Sequence, residues 1–120
     1  PRVANVYSHS HPAVLRALTR LVQECHKYDK PISICGEMAG DPLTAILLMA
    51  MGFNTLSMSS SNILKVRKAI CHVPMPDAKE LLDRALSMNN PLMVKSMMEY
   101  YFKTHGLGDM VKSATRIVSA

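Results

Sequence analysis

Between residues 11 and 28 the apolar positions Val14, Leu15, Leu18, Val22 and Cys25 recur at the helical period, with Arg16, Arg20 and Lys27 largely off that stripe. The pattern predicts an amphipathic helix over 11–28. Ser10 or His11 is its cap, and Pro12 suits the first turn because its missing N–H would be unbonded there anyway. Lys30-Pro31 closes the connection, and Ile32 to Cys35 reads as a short apolar strand. Asp41-Pro42 opens a second helix by cap-plus-proline logic. That helix, Leu43 to Met51, carries almost no polar residue, so burial nearly all round is expected, against more protein than the chain easily supplies. Gly52 ends it as a left-handed cap. Thr55 to Met58 reads as a second strand, and Ser59-Ser60-Ser61-Asn62 caps a helix over Asn62 to His72. There Ile63, Val66 and Ile70 are placed inward, and Lys65, Arg67 and Lys68 outward. Pro76-Asp77 opens a helix with Ala78, Leu81, Leu82 and Ala85 on one face. Asn90-Pro91 opens another, with Val94, Met97, Met98 and Tyr101 in register and Gly106 at its end. The tail from Leu107 to Ala120 has two readings: a last short helix, or an arm docked on a partner through Val111, Ile117 and Val118.

Strands alternating with helices imply an α/β fold with a parallel sheet. Two parallel strands alone are not a stable sheet, since such strands normally lie buried between helices. The expected architecture is therefore the closing part of a larger structure of the (β/α)8 TIM-barrel kind, followed by a helical tail and incomplete as a barrel on its own. Residues 1–75 would hold the last βα units, 76–106 the C-terminal helices and 107–120 the tail. The opening, Pro1-Arg2-Val3-Ala4-Asn5-Val6-Tyr7, reads as the middle of a longer chain. In such barrels the active site lies at the C-terminal strand ends, and the last two often cradle phosphate. Cys35 and Ser57–Ser61 fall at two such ends, consecutive in order.

Composition narrows the classes. A chain of 120 residues, 48% hydrophobic and 19% charged, has enough for one small core. The longest apolar run, Leu43 to Met51, is far short of the roughly 20 residues of a membrane span. The net charge of +5 suggests a polyanionic partner, but only Lys65, Arg67 and Lys68 cluster, and four Tyr, two Phe and no Trp leave little to stack on bases. No nucleic-acid surface is expected. Cys25, Cys35 and Cys71 are odd in number and lack a CxxC pair, which argues for free thiols in a reducing cytoplasm. His9 and His11 have no other ligand type at metal-site spacing and read as loop histidines. Most of the ten methionines fall on inward stripes, so core packing is their default role.

The chemistry concentrates in Ile34-Cys35-Gly36-Glu37-Met38-Ala39-Gly40-Asp41-Pro42. Cys35 stands at a strand end. Gly36 permits a tight turn or the close approach of a substrate. A helix beginning at Asp41 would turn its positive end to the same space. A thiol there can give or take a proton or attack an electrophile, and small buried cysteines are also common. No histidine lies near Cys35 in sequence, and proton transfer needs none. Glu37 has two readings, an acid, base or metal ligand, or a carboxylate accepting N–H bonds at the turn. Asp41 reads first as a helix cap.

Residues 32–70, "ISICGEMAGDPLTAILLMAMGFNTLSMSSSNILKVRKAI", closely resemble the C-terminal barrel of enzyme I, the phosphoenolpyruvate–protein phosphotransferase family. The family's C-G-E-[LM]-A-G-D is complete as Cys35 to Asp41, and its S-M-S is Ser57-Met58-Ser59. Upstream, "YSHSHPAVLRAL" looks like the segment that links the sixth strand to its helix, and its wording leans toward the nitrogen-branch form. The likeness covers roughly residues 1–105. Pyruvate phosphate dikinases and phosphoenolpyruvate synthases share a similar cysteine loop with less similar flanks. The resemblance implies phosphate transfer from phosphoenolpyruvate to a histidine and on to an HPr-like carrier, with magnesium, in a cytoplasmic homodimer. It implies that Cys35 is the catalytic residue that protonates the enolate to pyruvate. Gly36 is the substrate-binding candidate, with Glu37 and Asp41 as supporting candidates. It also implies that the phosphorylated histidine, the phosphate-clamping arginines and the magnesium carboxylates belong to sequence not among these residues. Arg2 is too far downstream for the family's last substrate arginine. The 120 residues alone are then expected to be inactive, and to self-associate through bare strand edges. The rival reading is a non-enzymatic helical interaction module, which leaves the complete cysteine motif unexplained.

Overall fold

Helix α1 (Pro12–Lys27) starts at the cap signal. The computed structural model describes residues 11–111, so Ser10 and His9 lie outside the described residues and the cap is His11. Its Nδ1 accepts the backbone N–H of Ala13 at 3.1 Å. Leu15 and Val22 are buried on the inner stripe, with Leu18 and Cys25 half-buried beside them. Arg16 reaches across to the end of helix α5 (Met75–Leu86), where Nη1 donates to the carbonyls of Leu86 at 3.0 Å and Met88 at 3.3 Å. A cation at that point satisfies carbonyls the helix leaves open and meets its negative end.

Strands β1 (Ser33–Cys35) and β2 (Thr55–Ser57) pair in parallel, with Ser33 opposite Thr55, Ile34 opposite Leu56 and Cys35 opposite Ser57. Each is one residue shorter than its pattern predicts. Ile32 falls outside because its N–H bonds the Asn54 side chain (2.9 Å), while its carbonyl accepts from the Asn54 N–H (2.9 Å). Met58 falls outside at the other end, where β2 has already turned toward the next helix. Ile34 and Leu56 pack on the core, while Ser33, Cys35, Thr55 and Ser57 alternate onto an exposed face. The chain is thus an α/β piece: two parallel strands with flanking helices, covered on one side.

Between β1 and the long apolar helix lies a feature the pattern did not predict. One helical turn, α2 (Glu37–Gly40), comes first, and Asp41 ends it. Asp41 then caps α3 (Pro42–Met51): Oδ1 accepts the Leu43 N–H at 3.2 Å and Oδ2 accepts the Thr44 hydroxyl at 2.8 Å. The helix start nearest Cys35 is therefore that of α2, not one at Asp41. At its far end Gly52 adopts φ 107°, and a Cβ there would lie 2.7 Å from His26 Cε1. The backbone conformation calls for glycine at this position, and a side chain would also push the His26 ring aside.

Helix α3 is buried from Leu43 through Leu48, and again at Met51. The expectation that the chain supplies too little cover is corrected here. Helices α1, α4 (Ser60–His72), α5 and α6 (Pro91–Thr104) all pack against α3. Burying each of Leu43, Ile46, Leu47 and Leu48 is worth roughly 1.5–3 kcal/mol, which makes α3, not the sheet, the axis of the fold.

Helix α4 begins at Ser60, two residues before the predicted Asn62, with Ser59 as its cap. Val66 and Ala69 are buried, but Ile63, predicted inward, is 46% exposed. It borders an open cavity of about 450 Å³ with Met49, Phe53 and Leu56. Helix α5 begins at Met75, with Pro76 within its first turn, and buries Ala78, Leu81, Leu82 and Ala85. Helix α6 is capped by Asn90, whose Oδ1 accepts the Leu92 N–H at 2.7 Å, and it buries Val94, Met97, Met98 and Phe102. Residues 108–111 form a last helical turn, and Leu107, Met110 and Val111 join the core, so Val111 packs within the chain. Ile117 and Val118 lie outside the described residues. Met51, Met97, Met98 and Met110 are buried, while Met75 and Met93 are exposed.

The α5–α6 contact carries one titratable device. The Tyr101 hydroxyl donates to Asp77 Oδ2 at 2.6 Å, and its ring stacks on His105 with centroids 3.9 Å apart. Burial, then the hydrogen bond to the Asp77 carboxylate and its charge, push the phenol up to about 12. The folded state holds this proton more tightly than the unfolded state. The resulting stability is complete below the ordinary value of 10.0 and is lost as pH rises through about 12. In urea unfolding between these limits, the parent chain should lose stability more steeply than Tyr101→Phe. Equal slopes would show that the pair does not contribute.

Candidate functional site

The two strands end side by side, and so do the turns that leave them. Cys35 is the last residue of β1, paired with Ser57, the last of β2. Both side chains lie on the exposed face of the sheet. Gly36 follows with φ 97° and ψ −158°, a region that residues with a side chain rarely enter. A Cβ on Gly36 would meet nothing within 4 Å, so glycine is required there by backbone conformation and not by crowding. This turn starts α2, whose Ala39 and Gly40 are buried and whose Glu37 is exposed at its first position.

The β2–α4 turn forms the other wall. Ser59 caps α4 without using its side chain on the helix backbone. Its hydroxyl lies 3.1 Å from that of Ser61 and accepts from Asn62 Nδ2 at 3.1 Å. Between the two turns is an open cavity of about 460 Å³, lined by Cys35, Gly36 and Glu37 from one turn and by Ser57, Met58, Ser59 and Asn62 from the other.

The structure therefore brings together three of the four candidate residues. Asp41 does not line the cavity, and its two oxygens are engaged at the start of α3. From sequence, Ser59 stands at the second strand end within Ser57–Ser61, while Asn62 reads only as part of the helix cap. The signal for more at Asn62 was its place just after that strand end. None of the four described histidines (His11, His26, His72 and His105) lines this cavity. Cys25, Cys35 and Cys71 are all free thiols. Among the described residues no three His, Cys, Asp or Glu side chains are grouped to hold a metal ion, and Glu37 is the one carboxylate on the cavity. Also among them, no helix is long and apolar enough to cross a membrane.

Comparison with known proteins shows the family. The family model described as "PEP-utilising enzyme, PEP-binding domain" matches residues 1–75. The "Phosphoenolpyruvate-dependent phosphotransferase system" protein of Salmonella typhimurium (strain LT2) is 33% identical over 111 residues, 92% of this chain and 15% of that protein. The "Phosphoenolpyruvate-protein phosphotransferase" of Cupriavidus necator is 36% identical over 89 residues, 74% of this chain and 15% of that protein. The protein of the same name from Bacillus subtilis (strain 168) is 33% identical over 102 residues, 85% of this chain and 18% of that protein. The chain spans less than a fifth of the length of these relatives. Through the match over residues 1–75, which include both strands, both turns and the cavity they line, it belongs to the PEP-binding domain family of PEP-utilising enzymes.

Proposed function

We propose that these residues form the closing part of the (β/α)8 barrel of an enzyme I-type phosphoenolpyruvate–protein phosphotransferase, and that Cys35 is its proton donor. The observation that carries this reading is the position of Cys35. It is the exposed last residue of a parallel strand, over a cavity walled by the next strand's serines, within a complete Cys35–Asp41 motif. The exposed strand face bearing Ser33, Cys35, Thr55 and Ser57 would be the barrel interior, with 1–75 as the last βα units, 76–106 as C-terminal helices and 107–120 as a tail.

In the proposed reaction, phosphoenolpyruvate gives its phosphoryl group to a histidine of the longer protein and leaves as the enolate of pyruvate. The enolate methylene carbon takes the proton of the Cys35 thiol. A C–H bond forms, the S–H bond breaks, and pyruvate departs. The thiolate regains a proton from solvent. In reverse, the thiolate removes a proton from the pyruvate methyl group. Gly36 leaves the substrate room at the turn, Glu37 supplies a carboxylate at the rim, and Asp41 supports the site by fixing α3. The phosphohistidine would pass its phosphate to an HPr-like carrier. Magnesium belongs to this reading only in the longer protein. The described residues do not form a site for it, and no step here runs through it. The enzyme would be cytoplasmic and homodimeric.

With phosphorus-labelled phosphoenolpyruvate, the full-length protein should acquire one label on histidine per pyruvate released. The 120-residue chain alone should release none, and light scattering should give it a mass above the monomer, because among the described residues both strands have an open edge. Pyruvate formed by the 120 residues alone, or a full-length protein that takes no label, would overturn the reading.

A further inference from the structure

Gly40 and Asn62 meet where the two strand-end turns touch. A Cβ on Gly40 would lie 2.8 Å from Asn62 Nδ2 and 3.4 Å from Asn62 Cγ. The first separation is too short for any real contact, so a side chain at position 40 would force the Asn62 amide to move. Gly40 is not among the residues with positive φ, so its backbone accepts alanine without strain. The nearest atoms that a methyl would meet there are those of the Asn62 side chain, which it would displace. The atom that would be displaced, Nδ2, is the one that donates to Ser59 Oγ at 3.1 Å. Ser59 and Asn62 both line the cavity that holds Cys35.

We propose that Asn62 is a positioning residue of the Cys35 site: seated in the space left by Gly40 and bonded to Ser59, its amide locks the β2–α4 turn against α2. The proposal rests on the reading of Cys35 as the donor to the enolate. Asn62 acts through Ser59, by fixing the wall against which that enolate would be held. The Gly40 of the cysteine motif is then explained by a residue 22 positions later, in the other turn. Neither the helical period nor the motif connects the two.

The test is a double-mutant cycle in the full-length protein, with kcat and KM for phosphoenolpyruvate measured in Gly40→Ala, Asn62→Ala and the double variant. Each single change should lower kcat about tenfold with a smaller effect on KM, since misplacement of a site by about 1 Å can cost up to about a hundredfold. The double variant should be no worse than Asn62→Ala, because only the Asn62 Cβ, 3.5 Å from the new methyl, then remains. A second readout does not need turnover: the rate of iodoacetamide alkylation of Cys35 in a Cys25→Ser, Cys71→Ser background. It should change in both single variants and no further in the double. Additive losses, or Asn62→Ala with both kcat and alkylation rate unchanged, would overturn the clamp. If Cys35→Ser left turnover unchanged, the enolate reading would fail instead, and the alkylation cycle would still decide the clamp.

Discussion

Cys35→Ser in the full-length protein is expected to lower pyruvate formation by about a hundredfold or more, the usual range for loss of a general acid. An alcohol releases its proton far less readily than a thiol, so the enolate would wait at the site. Binding of phosphoenolpyruvate should change little, and labelling of the histidine should still occur in a first turnover. The loss therefore belongs in kcat and in pyruvate release. Folding is not expected to confound the result. Cys35 is exposed, and exposed substitutions of this size usually stay within about 0.5 kcal/mol. Quenched-flow measurement of pyruvate and phosphohistidine separates the steps. Unchanged turnover would remove Cys35 from the proton-donor role.

The second large effect is on stability. Phe102 is fully buried and is the largest fully buried side chain among the described residues. Its ring meets Tyr101 edge to face at 6.5 Å, and its carbonyl accepts the Leu107 N–H at 2.8 Å where α6 ends. Phe102→Ala should cost about 3–5 kcal/mol, transfer plus cavity. That is a large share of the roughly 5–15 kcal/mol that holds a domain folded. The urea midpoint should fall steeply, while Tyr100→Ala, at a position 72% exposed, should leave it nearly unchanged. A loss below about 1 kcal/mol for Phe102→Ala would mean that α6 is not part of the cooperative core.

The parts of the fold that could be read from sequence are those whose causes are local. The His11-Pro12 cap, the Asp41-Pro42 cap and the left-handed Gly52 each bound an element through chemistry within a few residues. The strand end at Cys35 and the Asp41 cap were legible for the same reason. The one-turn α2 was not, because four residues are too few to show a period. The cover on α3 was not legible either. A helix that is apolar all round has no face to point at its neighbours, and those neighbours come from up to about 60 residues away along the chain. Ile63 shows the converse: it keeps the helical period yet borders an open cavity, since periodicity gives a direction and not a partner. At the site, Cys35, Gly36 and Glu37 follow from one motif. Ser59 and Asn62 depend on the parallel pairing that sets the second turn beside the first.

The pair of strands is anchored to the helices mainly through Ile34 and Leu56, while α3 is enclosed on nearly every side. Free energies of local opening follow such differences in packing. The amides of β1, β2 and the turns after them are therefore expected to exchange with solvent deuterium before those of the helical core. The thiol sits at the end of β1. A strand added to either edge left open among the described residues would order the cavity as well as wall it.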